Sequence, residues 1–130
     1  MVIDSSAFIA ILTGEPDAET YVRAIRSAAS AHMSAATYLE IGVVVNSKGD
    51  AVAVARVDVL LNGLNIVVEP FTLEHGRIAR EAHRQFGKGR HPAALNFGDC
   101  FSYALAKALG KPLLFKGNDF GQTDVASAIS

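Results

Sequence analysis

The chain has 130 residues, 50% of them hydrophobic, and a formal net charge of −1. That suits one domain over residues 1–130, burying about two thirds of its unfolded surface, and excludes the strongly basic kind of nucleic-acid binder. A single cysteine, Cys100, excludes an internal disulfide and any multi-cysteine zinc site, and is expected to be a small core residue.

Val2-Ile3 reads as a short buried strand, followed by the polar turn Asp4-Ser5-Ser6 and an apolar helix from Ala7 to Leu12, capped by Ser5 or Ser6. Gly14-Glu15-Pro16 ends it. Pro16 then opens a second helix, with Tyr21, Val22, Ile25 and Ala29 on its apolar side. His32-Met33 fits a brief strand. Ser34 caps a helix from Ala35 to Lys48 that is apolar nearly all round and therefore expected to be buried. A further apolar helix runs from Ala51 to Leu61, where Asn62-Gly63 stops it. Leu64 to Val68 is a strand rich in β-branched residues, closed by Glu69-Pro70. Thr72 caps a charged helix to Phe86, with Leu73, Ile78, Ala79, Ala82 and Phe86 facing inward, and residues 87–92 form a basic loop. In the next helix Phe97, Cys100, Phe101, Ala104, Leu105, Ala108 and Leu109 recur at helical spacing and predict one buried stripe that ends at Gly110. Pro112 to Phe115 is a last strand, and the tail from Phe120 is weakly patterned.

Strands alternating with helices imply right-handed crossovers and a parallel sheet, an α/β fold whose ligands bind beyond the carboxyl ends of the strands. Asp4 and Asp119 follow predicted strand ends, Asp99 lies in the first turn of its helix, and Glu40 sits within an apolar helix. An acid in a first helical turn is also an ordinary helix-start signal. Four acids from four core-forming segments, however, suggest one shared site. Carboxylates without histidine or cysteine clusters suit hard cations such as Mg²⁺ or Mn²⁺, and a cation relieves their mutual repulsion. Its chemistry there fits phosphodiester hydrolysis.

Other motifs carry less. Gly87-Lys88-Gly89 follows a helix and lacks the rest of a dinucleotide fingerprint, and no glycine-rich loop ends in Lys-Ser or Lys-Thr. Arg77, Arg80, Arg84, Lys88 and Arg90 read equally as a solvated helix face, with Arg77 paired to Glu81, or as a phosphate-contacting patch. Lys88, Arg90, His91 and Lys116 are the expected RNA contacts. No apolar run reaches the roughly 20 residues of a membrane span, and the acid in Met1-Val2-Ile3-Asp4 is unlike a secretory signal, so a cytoplasmic protein without membrane attachment is expected.

Met1 to Ala7, Tyr38-Leu39-Glu40, Leu95 to Ala106 and Pro112 to Phe120 resemble, in order and spacing, the PIN-domain ribonucleases, most closely the VapC toxins of bacterial toxin–antitoxin pairs. The resemblance covers nearly the whole chain. It implies a three-layer α/β/α sandwich with a mainly parallel central sheet, Mg²⁺- or Mn²⁺-dependent endoribonuclease activity on a tRNA or ribosomal RNA, a homodimer, and inhibition by a VapB-type antitoxin. Asp4, Glu40 and Asp99 match the three core acids, and Ser6 the small hydroxyl residue that supports them. Many relatives carry a further acid in the turn after the last strand, one position of which is Gly117 here, so the fourth acid is Asp119, alone, with Asp124 or through water. The alternative is a catalytically silent PIN-fold module that binds RNA or protein.

Overall fold

The computed structural model describes residues 1–129. The elements follow in the order β1 (Val2–Ile3), α1 (Ser5–Leu12), α2 (Ala18–Ser27), β2 (Ala31–Ser34), α3 (Ala35–Ser47), α4 (Ala51–Gly63), β3 (Ile66–Glu69), α5 (Leu73–Phe86), α6 (Phe97–Leu109) and β4 (Leu113–Leu114), with a 3₁₀ turn over Phe120–Gln122. The four strands form one parallel sheet in the order β3-β2-β1-β4. Val2 pairs with both His32 and Leu113, so β1 is the strand at which the chain reverses its direction of travel across the sheet. The crevice beside such a strand is where parallel sheets hold ligands.

Alternation along the short strands divides the core into two. Ile3 and Leu114 face one cluster with Phe8, Tyr21, Ile25, Ile41, Val45, Val57 and Leu61. Val2 and Leu113 face the other with Ala82, Cys100, Tyr103, Leu105 and Phe120. Helices α1 to α4 thus cover one face and α5 and α6 the opposite one, a three-layer α/β/α sandwich. Cys100 is the expected core residue, its thiol pushed up to about 11 by burial and then by the Asp99 charge.

Several expectations change at the outer layer. Helix α3 buries only Thr37, Ile41 and Val45, one stripe at four-residue spacing, and leaves Leu39 67% exposed. Helix α4 likewise leaves Val59 70% exposed. An outer helix has only one face toward the sheet, whatever its composition. For the same reason Leu73, expected inside, is exposed; Phe97, expected in the buried stripe of α6, is exposed because it is that helix's first residue, outside its packed stretch. Ala29 falls beyond α2, which begins at Ala18 rather than Pro16. The third strand starts two residues later than expected, because the Leu64 amide still closes α4 and Asn65 adopts a left-handed φ of 53°. Glu81 pairs with Arg84 and not with Arg77. Ser34, Thr72 and Gly110 terminate their helices as expected, Gly110 in the left-handed conformation that glycine favours.

Candidate active site

Asp4 follows β1 directly and is itself the N-cap of α1, the role expected of Ser5 or Ser6. It is 2% exposed. A carboxylate so deeply placed needs donors, and it has three. Oδ2 accepts from the Ser6 amide at 3.0 Å and the Ser6 hydroxyl at 2.6 Å, while Oδ1 accepts from the Ser102 hydroxyl at 2.6 Å. Thr37 Oγ1 lies 3.3 Å from Ser102 Oγ. With the Ser102 proton committed to Asp4, Thr37 donates there. Ser6 Oγ in turn accepts from the Lys116 amide at 2.9 Å, which ties the turn after β4 to the same acid.

Glu40 projects from α3 toward the start of α6. An added Cβ at Gly98 would lie 1.8 Å from its Oε2, so only glycine allows the two to approach. Glu40 Oε1 is buried and has no hydrogen-bond partner among the described residues. Burial raises its pKa, the Ser5 side chain lowers it, and the Asp4 charge raises it further.

Asp99 closes a capping box, its Oδ2 accepting from the Asn96 amide at 3.1 Å while Asn96 Oδ1 accepts from the Asp99 amide at 2.9 Å. The helix-start reading of this acid is therefore right as far as it goes. Its carboxyl is nevertheless pushed up to about 7, first by burial and then, against the Asn96 bond, by the charges of Asp4, Asp119 and Glu40. The charges of the other three sequence-predicted acids thus bear on Asp99, beyond the carboxyl ends of β1 and β4. No three His, Cys, Asp or Glu side chains among the described residues are gathered closely enough to enclose a cation. Asp4 is turned instead to its hydroxyl and amide donors. An acid-only donor set with an orphaned buried oxygen at Glu40 fits a hard divalent cation.

The remaining predicted residues separate. Asp124 is engaged elsewhere, accepting from the Tyr103 hydroxyl at 2.5 Å and from Lys107 Nζ at 3.1 Å, and it is not among the charges that raise Asp99. Gly117 has φ of 105°, a conformation an L side chain rarely adopts, which accounts for glycine at that point of the turn after β4. Lys116 Nζ is paired with Asp17 at 3.2 Å and Glu15 at 3.5 Å. His91 builds its own turn, Nδ1 accepting from the Ala93 amide at 3.0 Å with the ring edge-on to Phe86. Lys88 and Arg90 are exposed and form no ion pair among the described residues.

The PIN-domain family model matches residues 1–126. The chain belongs to the PIN-domain family. Its curated relatives there are VapC ribonucleases. The chain is 50% identical over 130 residues to ribonuclease VapC28 of Mycobacterium tuberculosis, covering 99% of this chain and 98% of the relative. It is 47% identical over 127 residues to ribonuclease VapC of Mycolicibacterium smegmatis, covering 98% of both. Among solved structures it is similar in fold to the M. tuberculosis VapC20 toxin, described as cleaving the sarcin-ricin loop, with a TM-score of 0.75 at 20% identity over 96% of this chain and 95% of that one. A toxin–antitoxin complex from Klebsiella pneumoniae matches with a TM-score of 0.72 at 14% identity, over 95% of this chain and 92% of that one.

Two polar residues that hold this PIN site together, Ser102 and Thr37, escaped the sequence reading. The signal was present. Ser102 is three residues after Asp99 and Thr37 three before Glu40, so each shares a helical face with an acid inside an otherwise apolar stripe.

Proposed function

We infer that this PIN domain is an endoribonuclease toxin of a VapBC pair, with Asp4, Glu40, Asp99 and Asp119 as the acids that hold Mg²⁺ or Mn²⁺. The observation that carries the reading is the similarity to VapC ribonucleases, at 50% identity over 99% of the chain for the M. tuberculosis VapC28 relative, in a chain that sets Asp4, Glu40 and Asp99 at the strand-end crevice. A divalent cation bound there neutralises charge on the scissile phosphodiester and makes water a better nucleophile near neutral pH. The chain supplies the rest. Ser6 and Ser102 aim the Asp4 carboxylate, the capping box holds Asp99 at the mouth of α6, and Gly98 leaves room for Glu40 beside it. Lys88 and Arg90 offer unpaired cations to flanking phosphates.

The same reading carries a tRNA or ribosomal RNA target, a VapB-type antitoxin that covers the acidic crevice, action in the cytoplasm, and a homodimer. Exposed Leu39 and Val43 on α3 and Val52 and Val59 on α4 support the dimer, since clustered exposed apolar side chains mark interfaces. The test is incubation of antitoxin-free protein with total cellular RNA in Mg²⁺, in Mn²⁺ and in chelator, beside Asp99→Asn, with new RNA ends mapped by sequencing. Discrete ends that need the cation and vanish in the variant are expected. Intact RNA with wild type and variant alike, both still binding it, would overturn the nuclease in favour of a silent binding module.

A further inference from the structure

Phe97 is the first residue of α6 and 79% exposed, the most exposed large apolar side chain of the protein's described residues. It stands two residues before Asp99, and the next residue, Gly98, is the one over which the Glu40 carboxylate lies. The ring is backed on one side. Phe101 meets it edge-on at 4.7 Å, Phe71 meets Phe101 edge-on at 5.4 Å, and His75 meets Phe71 at 6.0 Å. Such a row of perpendicular contacts orients a ring.

Cations adjoin it through the backbone. The Lys88 amide donates to Leu95 O at 3.0 Å and the Leu95 amide to Phe86 O at 2.9 Å, so the loop bearing Lys88 and Arg90 is stitched to the segment that leads into Asn96 and Phe97. Arg84, Lys107 and Lys116 are occupied by acids, whereas Lys88 and Arg90 are in no ion pair among the described residues. Ala94, in the same segment, holds a left-handed φ of 52°, a strained setting for alanine that bends the chain into α6.

A flat apolar ring beside a carboxylate crevice, with a loop bearing two free cations bonded to the same segment, suits single-stranded RNA, which offers a base, a phosphate backbone and a bond to cut. We propose that Phe97 stacks on an unpaired nucleobase next to the scissile phosphodiester. The proposal rests on the ribonuclease reading above. It makes Phe97 a substrate-positioning residue and requires an unpaired target, because the bases of a duplex already stack on each other. An antitoxin side chain is the competing occupant. RNA is favoured because the ring is two residues from Asp99 and the backbone of Lys88 is bonded to Leu95, two residues before the ring.

The chain contains no tryptophan, so Phe97→Trp introduces a single tryptophan at the ring position, whose emission is read by excitation at a wavelength the tyrosines do not absorb. The variant is titrated in chelator, where no cleavage occurs, with poly(U), poly(A) and the poly(A)·poly(U) duplex. Quenching by the single strands but not by the duplex is expected, and Phe97→Leu should weaken single-strand affinity about 10-fold or more. In the cleavage assay, Phe97→Leu should raise KM with kcat nearly unchanged. Unquenched emission together with wild-type affinity in Phe97→Leu would overturn the proposal, and if the wild type still cut RNA the nuclease would stand without it. Quenching by single strands in a protein that never cuts RNA would uphold the stacking and overturn the nuclease. Phe97→Leu that binds RNA normally but loses the co-expressed antitoxin would overturn it in favour of a protein contact.

Discussion

Gly98 bears on function through what it lacks. An added Cβ would press on Glu40 Oε2, the far end of a side chain that can swing aside, and not on backbone. Gly98→Ala should therefore fold normally and lose activity, by about 100-fold if the carboxylate shifts on the order of 1 Å. Cleavage rate and thermal midpoint measured on the same sample check this, and a large fall in the midpoint with activity retained would contradict it. Asp99 gives a second prediction. With its carboxyl at about 7 in the folded chain against an ordinary 3.8, the folded state holds a proton that the unfolded state has released. The folded state then binds more protons, so metal-free stability should decline as pH rises from 3.8 to about 7. Urea unfolding across that range should show the decline in wild type and its loss in Asp99→Asn. Mg²⁺ should stabilise wild type increasingly over the same window and leave Asp99→Asn nearly unaffected.

At the scale of elements, the site is a junction. Asp4 at the end of β1, Thr37 on α3 and Ser102 on α6 form one buried chain of hydrogen bonds, which joins helices from both faces of the sheet. Ser102→Ala removes a donor from a buried carboxylate and should cost about 2 kcal/mol. Ser102→Thr, which keeps the hydroxyl, should recover much of that, as read by equilibrium denaturation. Little of this junction was legible beforehand. Helix periodicity identifies α6 and its stop at Gly110, but a stripe read from apolar residues passes over the serine that completes it. The same stripe claimed Phe97, because periodicity reports which face is apolar and not where the neighbouring helix ends.

At the scale of the molecule, α3 and α4 leave Leu39, Val43, Val52 and Val59 exposed on the layer away from α5 and α6. Under the dimer reading, Val59→Glu should shift the protein to monomer in sedimentation equilibrium, while Arg23→Glu, on exposed α2 surface, should not. A wild type that is monomeric at all concentrations would remove the dimer and leave these side chains as ordinary exposed apolar surface.

The sequence alone determined the class of the fold, its parallel sheet and the helix ends at Ser34, Thr72 and Gly110, and it singled out four acids for one site, because alternation, capping chemistry and strand-end placement are local signals. Tertiary structure decided the rest. It set Asp119 rather than Asp124 in the field of Asp99, since Tyr103 and Lys107, distant in sequence, hold the other acid. It placed Ser102 on Asp4 across 98 positions of chain. It also determined which apolar residues stay in water: composition describes the whole circumference of a helix, and only the packed layers determine which arc is covered.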